Sequence, residues 1–492
     1  MTLRSIAALF FLAGAVLAGQ SGHNHYRWQN GWNSVEFEVS GHVEFTDDDS
    51  DIKNVSSDGS FELEQRAYGG TKTIEVTPSR RVYSVNGSPK PFDAEAKAWL
   101  AQILPKYIRE SAINAPERVE RILKQRGATA VLDDIAKIES DGSRRIYLHE
   151  LIRTGGLRSE DLREAMRQTR KISSDGEKAA LLIDVAPYFR TPATLEDYFY
   201  AVDTISSDGE HRRVLSSIVG NFGADREMMA RSLRSAKRIS SDGEKAALLM
   251  EASSQTLNDE ARQNFFRAMD SIGSDGERRQ VLSAMVRRGG QNKETLDRVL
   301  RSAAMISSDG EKSAILVDAA AYYKEDPALR RAFFDAVGTI SSDGEQRGVL
   351  EALLRRPGLG AETLRDLARS AARISSDGEK GVVLTDLAGL GLRDATVRDG
   401  FFDAAGSISS DGTRSEVLIA ALSRGNLDKQ GALEVVATAR GISSDGEKAK
   451  VVARVVEMFG RDAEVSTAVR KAAETISSDG EYRRVMALLA AR

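Results

Sequence analysis

The 492-residue chain has no cysteine, which excludes a disulfide framework, a thiolate zinc site, an iron–sulfur cluster and a cysteine nucleophile. Histidine is scarce at five, so imidazole chemistry has few places to occur. Proline is scarce too, nine against forty-one glycines, and aromatics make up 6%. Charge of one sign is also missing: 69 basic and 73 acidic residues leave a formal charge of −4, which gives no reason to expect nucleic acid as a partner. No apolar run reaches the roughly 20 residues that a membrane-spanning helix needs. The longest, residues 6–18, follows Arg4 and ends in small residues, the pattern of a secretory signal peptide. Cleavage is expected after Ala18, with Ala15 as the rival position. Leu17-Ala18-Gly19 is followed by Gln20 instead of a lipid-bearing cysteine, so a lipoprotein is not expected. The protein is therefore expected to be exported, periplasmic or extracellular, with no membrane span in the mature chain.

Residues 19–32 read as a flexible leader, in which His23 and His25 belong to a disordered segment more readily than to a metal pair. Over residues 33–91 apolar and polar residues alternate, as in Val35-Glu36-Phe37-Glu38-Val39, with similar runs at 42–45, 61–64, 72–76 and 81–85. This predicts a small antiparallel β module of about five strands. Its acidic run Asp47-Asp48-Asp49-Ser50-Asp51 lacks the spacing of an EF-hand and reads as a solvated hairpin loop. Connecting helices are expected over 92–127, the first kinked or divided at Pro105.

The rest, residues 128–492, is an array. Asp-Gly recurs at Asp141, Asp175, Asp208, Asp242, Asp275, Asp309, Asp343, Asp377, Asp411, Asp445 and Asp479, with eight intervals of 34 residues and two of 33. Nine of the eleven marks read Ile-Ser-Ser-Asp-Gly, so the period belongs to one unit repeated. Such a period predicts an α-solenoid of about eleven two-helix hairpins, each burying its apolar face against its neighbours. In Ser174-Asp175-Gly176-Glu177 the serine can accept from the amide three residues on while the glutamate reaches back to the serine amide, a capping box. The same structural caps are expected at Ser207 and Glu210, Ser241 and Glu244, Ser308 and Glu311, Ser342 and Glu345, Ser376 and Glu379, Ser444 and Glu447, and Ser478 and Glu481. A 68-residue super-period overlies the first. Lys178, Lys245, Lys312, Lys380 and Lys448 mark alternate units, and an Arg-rich form such as Glu277-Arg278-Arg279 falls between them. The aromatic pairs Tyr198-Phe199, Phe265-Phe266, Phe333-Phe334 and Phe401-Phe402, at helical spacing, read as core.

No catalytic set emerges. His149-Glu150-Leu151-Ile152-Arg153 approaches the zinc-protease pattern but has Arg153 where the second histidine must stand. His42 and His211 have no partner by spacing, and no phosphate-binding or dinucleotide loop is present. No catalytic, cofactor or metal residue is therefore assigned, and no cofactor is expected.

In period and hairpin form the array resembles HEAT-like and tetratricopeptide-like solenoids, without the Trp, Gly, Tyr and Pro pattern of the latter. The unit Ile-Ser-Ser-Asp-Gly-Glu-Lys is similar to the Ile-x-Ser-Asp-x-x-Lys repeats of uncharacterised exported bacterial proteins. Val43-Glu44-Phe45-Thr46-Asp47-Asp48 and Pro91-Phe92-Asp93-Ala94-Glu95-Ala96 resemble the segment preceding such repeats. Some of those relatives join the module to an antirepressor-type membrane metallopeptidase of the beta-lactam-sensing kind, whose zinc motif and membrane helices this chain lacks. The resemblance implies architecture more than activity. The expectation is an exported, non-enzymatic protein-interaction scaffold, a sensor or adaptor in envelope signalling, with a protein or peptide partner. The alternatives are an enzyme with its site in the β module or at its junction with the helices, and a calcium-stabilised envelope or adhesion protein.

Overall fold

The computed structural model describes residues 23–289 and 292–492. The expected signal peptide and its cleavage site lie outside them. Among the described residues no helix is long and apolar enough to cross a membrane. The chain divides into two compact units, one through Arg238 and one from Ile239.

The first unit opens with strands β1 His23–Asn30, β2 Asn33–Ser40, β3 Val43–Phe45, β4 Ile52–Val55, β5 Ser60–Ala67, β6 Gly70–Thr77, β7 Arg80–Val85 and β8 Ser88–Lys90. Six form an antiparallel sheet in the order β1-β2-β5-β6-β7-β8, and β3-β4 is a separate pair. The expected leader is corrected here, because β1 pairs with β2 along its whole length, from His23↔Ser40 to Asn30↔Asn33. Two opening histidines disguise a strand alternation: Tyr26 and Trp28 pack on the core while Arg27 turns to Glu36 on the other face. The next strands follow the same period of two, with Val35, Phe37, Val39, Phe61, Leu63 and Ile74 buried.

Helix α1, Ala94–Ser111, covers that apolar face with Trp99, Leu100, Leu104 and Ile108. It starts at Asp93, whose carboxylate accepts from the amides of Glu95 and Ala96. Pro105 does not divide it. The carbonyl that proline deprives of a partner belongs to Ala101, an exposed residue, so water can serve it. The break comes instead at Ala112 and Asn114, both at positive φ, where the Asn114 amide group donates to the Val43 carbonyl at 2.6 Å.

Helices α2 Ala115–Ile135, α3 Asp141–Arg153, α4 Ser159–Arg170, α5 Asp175–Val185, α6 Pro192–Val202, α7 Asp208–Asn221 and α8 Arg226–Ala236 complete the unit. Inside α2, Gly127 adopts φ 81° and ψ 174°, which breaks the helix into two arms. Beyond it, α3, α5 and α7 pack in succession as one layer and α4, α6 and α8 as the other.

The second unit repeats the scheme in α9 Asp242–Ala252, α10 Asp259–Asp270, α11 Asp275–Gly289, α12 Lys293–Ala303, α13 Asp309–Ala320, α14 Pro327–Val337, α15 Asp343–Leu354, α16 Ala361–Ala372, α17 Asp377–Leu387, α18 Ala395–Gly406, α19 Asp411–Arg424, α20 Lys429–Ala439, α21 Asp445–Phe459, α22 Ala463–Ala473 and α23 Asp479–Ala490. Odd-numbered helices pack on odd ones, and from α12 even ones pack on even ones. This is the two-helix repeat of a solenoid. The aromatic pairs lie between the layers: Tyr198, Phe265, Phe333 and Phe401 are fully buried, each against its neighbour edge to face.

Candidate functional site

The expected cap serines sit in extended backbone, and all but Ser478 accept through their hydroxyl from the amide three residues on. The distances are 3.3 Å for Ser174 to Glu177, 3.4 Å for Ser207 to Glu210 and 3.3 Å for Ser241 to Glu244. Ser308, Ser342, Ser376 and Ser444 do the same toward Glu311, Glu345, Glu379 and Glu447, whereas Ser478 makes no side-chain cap to its helix.

The other half of the box is different. The amide of Ser174, expected to bind Glu177, donates to Asp141 of the preceding mark at 2.8 Å, and the Ser173 amide joins it at 2.9 Å. Asp175 likewise accepts from Ser206 and Ser207. In the second unit Asp242 holds the amides of Gly273 and Ser274, and Asp275 those of Ser307 and Ser308. Asp309, Asp343, Asp377 and Asp411 continue the pattern onto the following Ser-Ser pair, and Asp445 takes the Ser478 amide. The amides of Ser443 and Ser444 hold the Asp411 carboxyl below the usual carboxylate range. The aspartate of one repeat thus fastens the turn of the next.

Freed from reaching back, the glutamates pair elsewhere. Arg145 meets Glu177 at 2.5 Å, Arg279 meets Glu311, and Arg347 meets Glu379 at 2.7 Å. In each case an Arg-form repeat donates to the Lys-form repeat that follows, which gives the 68-residue alternation a physical content. Ser313 donates to Glu345, and Glu210 takes Arg213 of its own helix. The lysines of the Lys-form units are buried. Lys178, Lys245, Lys312, Lys380 and Lys448 donate to the carbonyls of Thr204, Ser271, Thr339, Ser407 and Thr475, just past the ends of α6, α10, α14, α18 and α22. A cation there meets the negative end of a helix. Arg144 and Arg278 fill the same role toward Lys171 and Met305.

The junction between sheet and helices is a filled ion-pair network. Asp49, read from sequence as part of a solvated loop, is only 5% exposed: Arg118 donates to it at 2.7 Å, Arg121 also binds it, and Arg118 reaches Asp134 at 2.5 Å. Arg118 also lies over the Tyr147 ring, and burial pushes the Tyr147 hydroxyl up to about 12. Asp48 binds the hydroxyls of Thr46 and Ser50, and Asp51 pairs with Arg81. Glu150 is held by Arg153 at 2.7 Å beside His149, His25 lies 3.5 Å from Glu38, and His23 bonds the Ser40 hydroxyl at 2.6 Å.

A groove of about 480 Å³ opens between α6 and α8, lined by Tyr200, Asp203, Arg231, Arg234, Ser235 and Arg238 among others. At its edge Ser235 bonds both Asp203 and the buried His211, whose Nε2 is 2.8 Å away, and Arg238 pairs with Asp203 at 2.9 Å. No spacing in the sequence announces this Ser, His and Asp. In a hydrolytic relay the imidazole stands between the other two, whereas here the hydroxyl does. Ser302 and Asp270 repeat the contact at 3.3 Å in the second unit, where Arg278 occupies the position of His211. The trio is therefore a joint between repeats. Burial lowers the pKa of His211.

Tyr200 has no such structural counterpart. It is 60% exposed, with the Arg170 guanidinium 4.5 Å above its ring. The eighth residue before each mark is exposed in all eleven copies. Nine are charged, from Asp133 to Lys471, and the tenth is Ala437. Only here does an aromatic stand. Aligning the copies on their Asp-Gly marks is the signal that could have found it from sequence. No protein-family model matches the chain, and no curated protein sequence does.

Proposed function

We propose that the protein is an exported, non-enzymatic interaction scaffold, a sensor or adaptor of the cell envelope, whose α6–α8 groove grips a segment of a partner polypeptide. The observation that carries this reading is Tyr200, an exposed aromatic at a position that the repeat otherwise fills with charge or alanine. Exposed tyrosines offer large amphipathic contact area with little side-chain entropy to lose, and such residues dominate binding energy at interfaces. Arg170 keeps the ring in place, and the neighbouring arginines and acids supply a polar rim. Export rests on residues 1–18.

The test is capture from an envelope extract by the wild-type chain and by Tyr200→Ala, side by side. The ring is 60% exposed, so the variant should melt within about 0.5 kcal/mol of wild type while its recovered partner falls roughly tenfold. A partner captured equally by both proteins contradicts the groove, and no partner with wild type contradicts the scaffold.

A further inference from the structure

The turn end of the β module carries a second surface, independent of the groove. The last rung between β2 and β5 is Ser34↔Arg66. Two residues beyond it on either strand stand Trp32 and Tyr68, 94% and 102% exposed. The strand order makes their hairpins neighbours, and the Asn86-Gly87 turn lies at the same end, its Asn86 bonding Thr71 through both backbone and side chain. Large aromatics at the tips of adjacent turns, packed on nothing, have no role in the fold. Around them charge is distributed unevenly. Residues 29–34, 66–72 and 85–88 contain no acid and two cations, Arg66 on the outward face and Lys72, which lies over the Trp99 ring on the other. The acids begin further in: Glu36↔Glu64 is two rungs from the tip, and Glu64 draws Arg66 at 2.5 Å. The next outward-facing rung aligns Glu38, Glu62 and Glu75 across three strands.

We propose that this end of the sheet docks on an anionic membrane surface, with the rings of Trp32 and Tyr68 entering the headgroup layer and Arg66 facing the lipid phosphates. Trp and Tyr favour that layer because one end of the ring is apolar and the other wet. The acid-free tip suits a negative surface, and the glutamate rows behind it oppose any approach by the flat of the sheet, so contact is end-on.

The test is co-sedimentation with vesicles of equimolar phosphatidylcholine and phosphatidylglycerol, and with phosphatidylcholine alone. Full-length chain and chain beginning at Gly19 are compared, so that the apolar run of residues 6–18 cannot supply the binding. Both should bind the anionic vesicles in a salt-sensitive way, and Trp32→Ala/Tyr68→Ala should weaken this roughly tenfold at unchanged melting temperature. Brominated lipid should quench the fluorescence of the wild type but much less that of Trp32→Phe, since Trp28 and Trp99 lie against the core. Equal binding by the double variant, equal binding to neutral vesicles, or binding to soluble dextran sulfate without vesicle binding would each overturn the proposal.

Discussion

A lysine ammonium is among the least tolerated groups in a protein interior, yet Lys312 is 4% exposed and four counterparts are buried as deeply. Each is balanced by a helix-end carbonyl, and Lys178, Lys312 and Lys380 also by an aspartate of their own mark at 3.7 to 3.9 Å. His211 stands at the same position, bonded to the Ser235 hydroxyl with the Asp203 carboxylate 3.9 Å away. Burial is the main effect on it and Arg238 adds to this, while Asp203, Asp208 and Asp175 pull the other way; the pKa ends below its ordinary value. The unfolded chain therefore takes up a proton that the folded one resists. The stability tied to this residue is full above about pH 6.5 and is lost as pH falls from there toward the lowered folded value. His211→Gln, with the residue type found at Gln346, should flatten that part of the dependence. Denaturant midpoints at about pH 7.5 and about pH 5 check this: an undiminished pH difference in the variant would show that the imidazole is not responsible.

At the scale of elements, local rules placed the helices and neighbours decided how they end. The 34-residue period made every mark legible as a helix start, and the serine caps follow from it. The partner of each aspartate was not legible, because it lies one repeat away and a capping box is a rule about a single helix. Strand β1 was hidden by histidines that resemble a polar leader, and Asp49 by a run of acids that conceals which one is buried. Pro105 rides inside α1 instead of dividing it, whereas Gly127, the expected end of the connecting helices, does break α2. The φ and ψ of Gly127 fall in a region that is essentially glycine's alone, with open space where a Cβ would be added. Gly127→Ala should therefore destabilise the protein by about 1–3 kcal/mol through backbone strain. In an ordinary helix the same change would stabilise by about 1 kcal/mol, so a gain in the denaturation midpoint would mean that the break is not held in place.

Across the whole molecule, one polar device is used along each unit. A carboxylate fastens the next turn's amides, and at the Lys-form marks, and at Arg144 and Arg278, a cation of the same mark fastens the carbonyls before them. Stability in such an array is a sum of unit and nearest-neighbour terms, so damage at one mark should appear in the next repeat. Tyr200, a departure from this regularity, and the paired turn aromatics of the β module carry the functional proposals. Alignment of the copies reveals the first from sequence, whereas the second needs the strand register. The device itself is tested most directly by amide hydrogen exchange in Asp309→Ala. Asp309 accepts from Ser341 and Ser342 at 3.0 and 2.8 Å, while the amides of its own mark, Ser307 and Ser308, are held by Asp275. The predicted result is faster exchange at Ser341 and Ser342 with Ser307 and Ser308 unchanged. Faster exchange at Ser307 and Ser308, with Ser341 and Ser342 still protected, would contradict it.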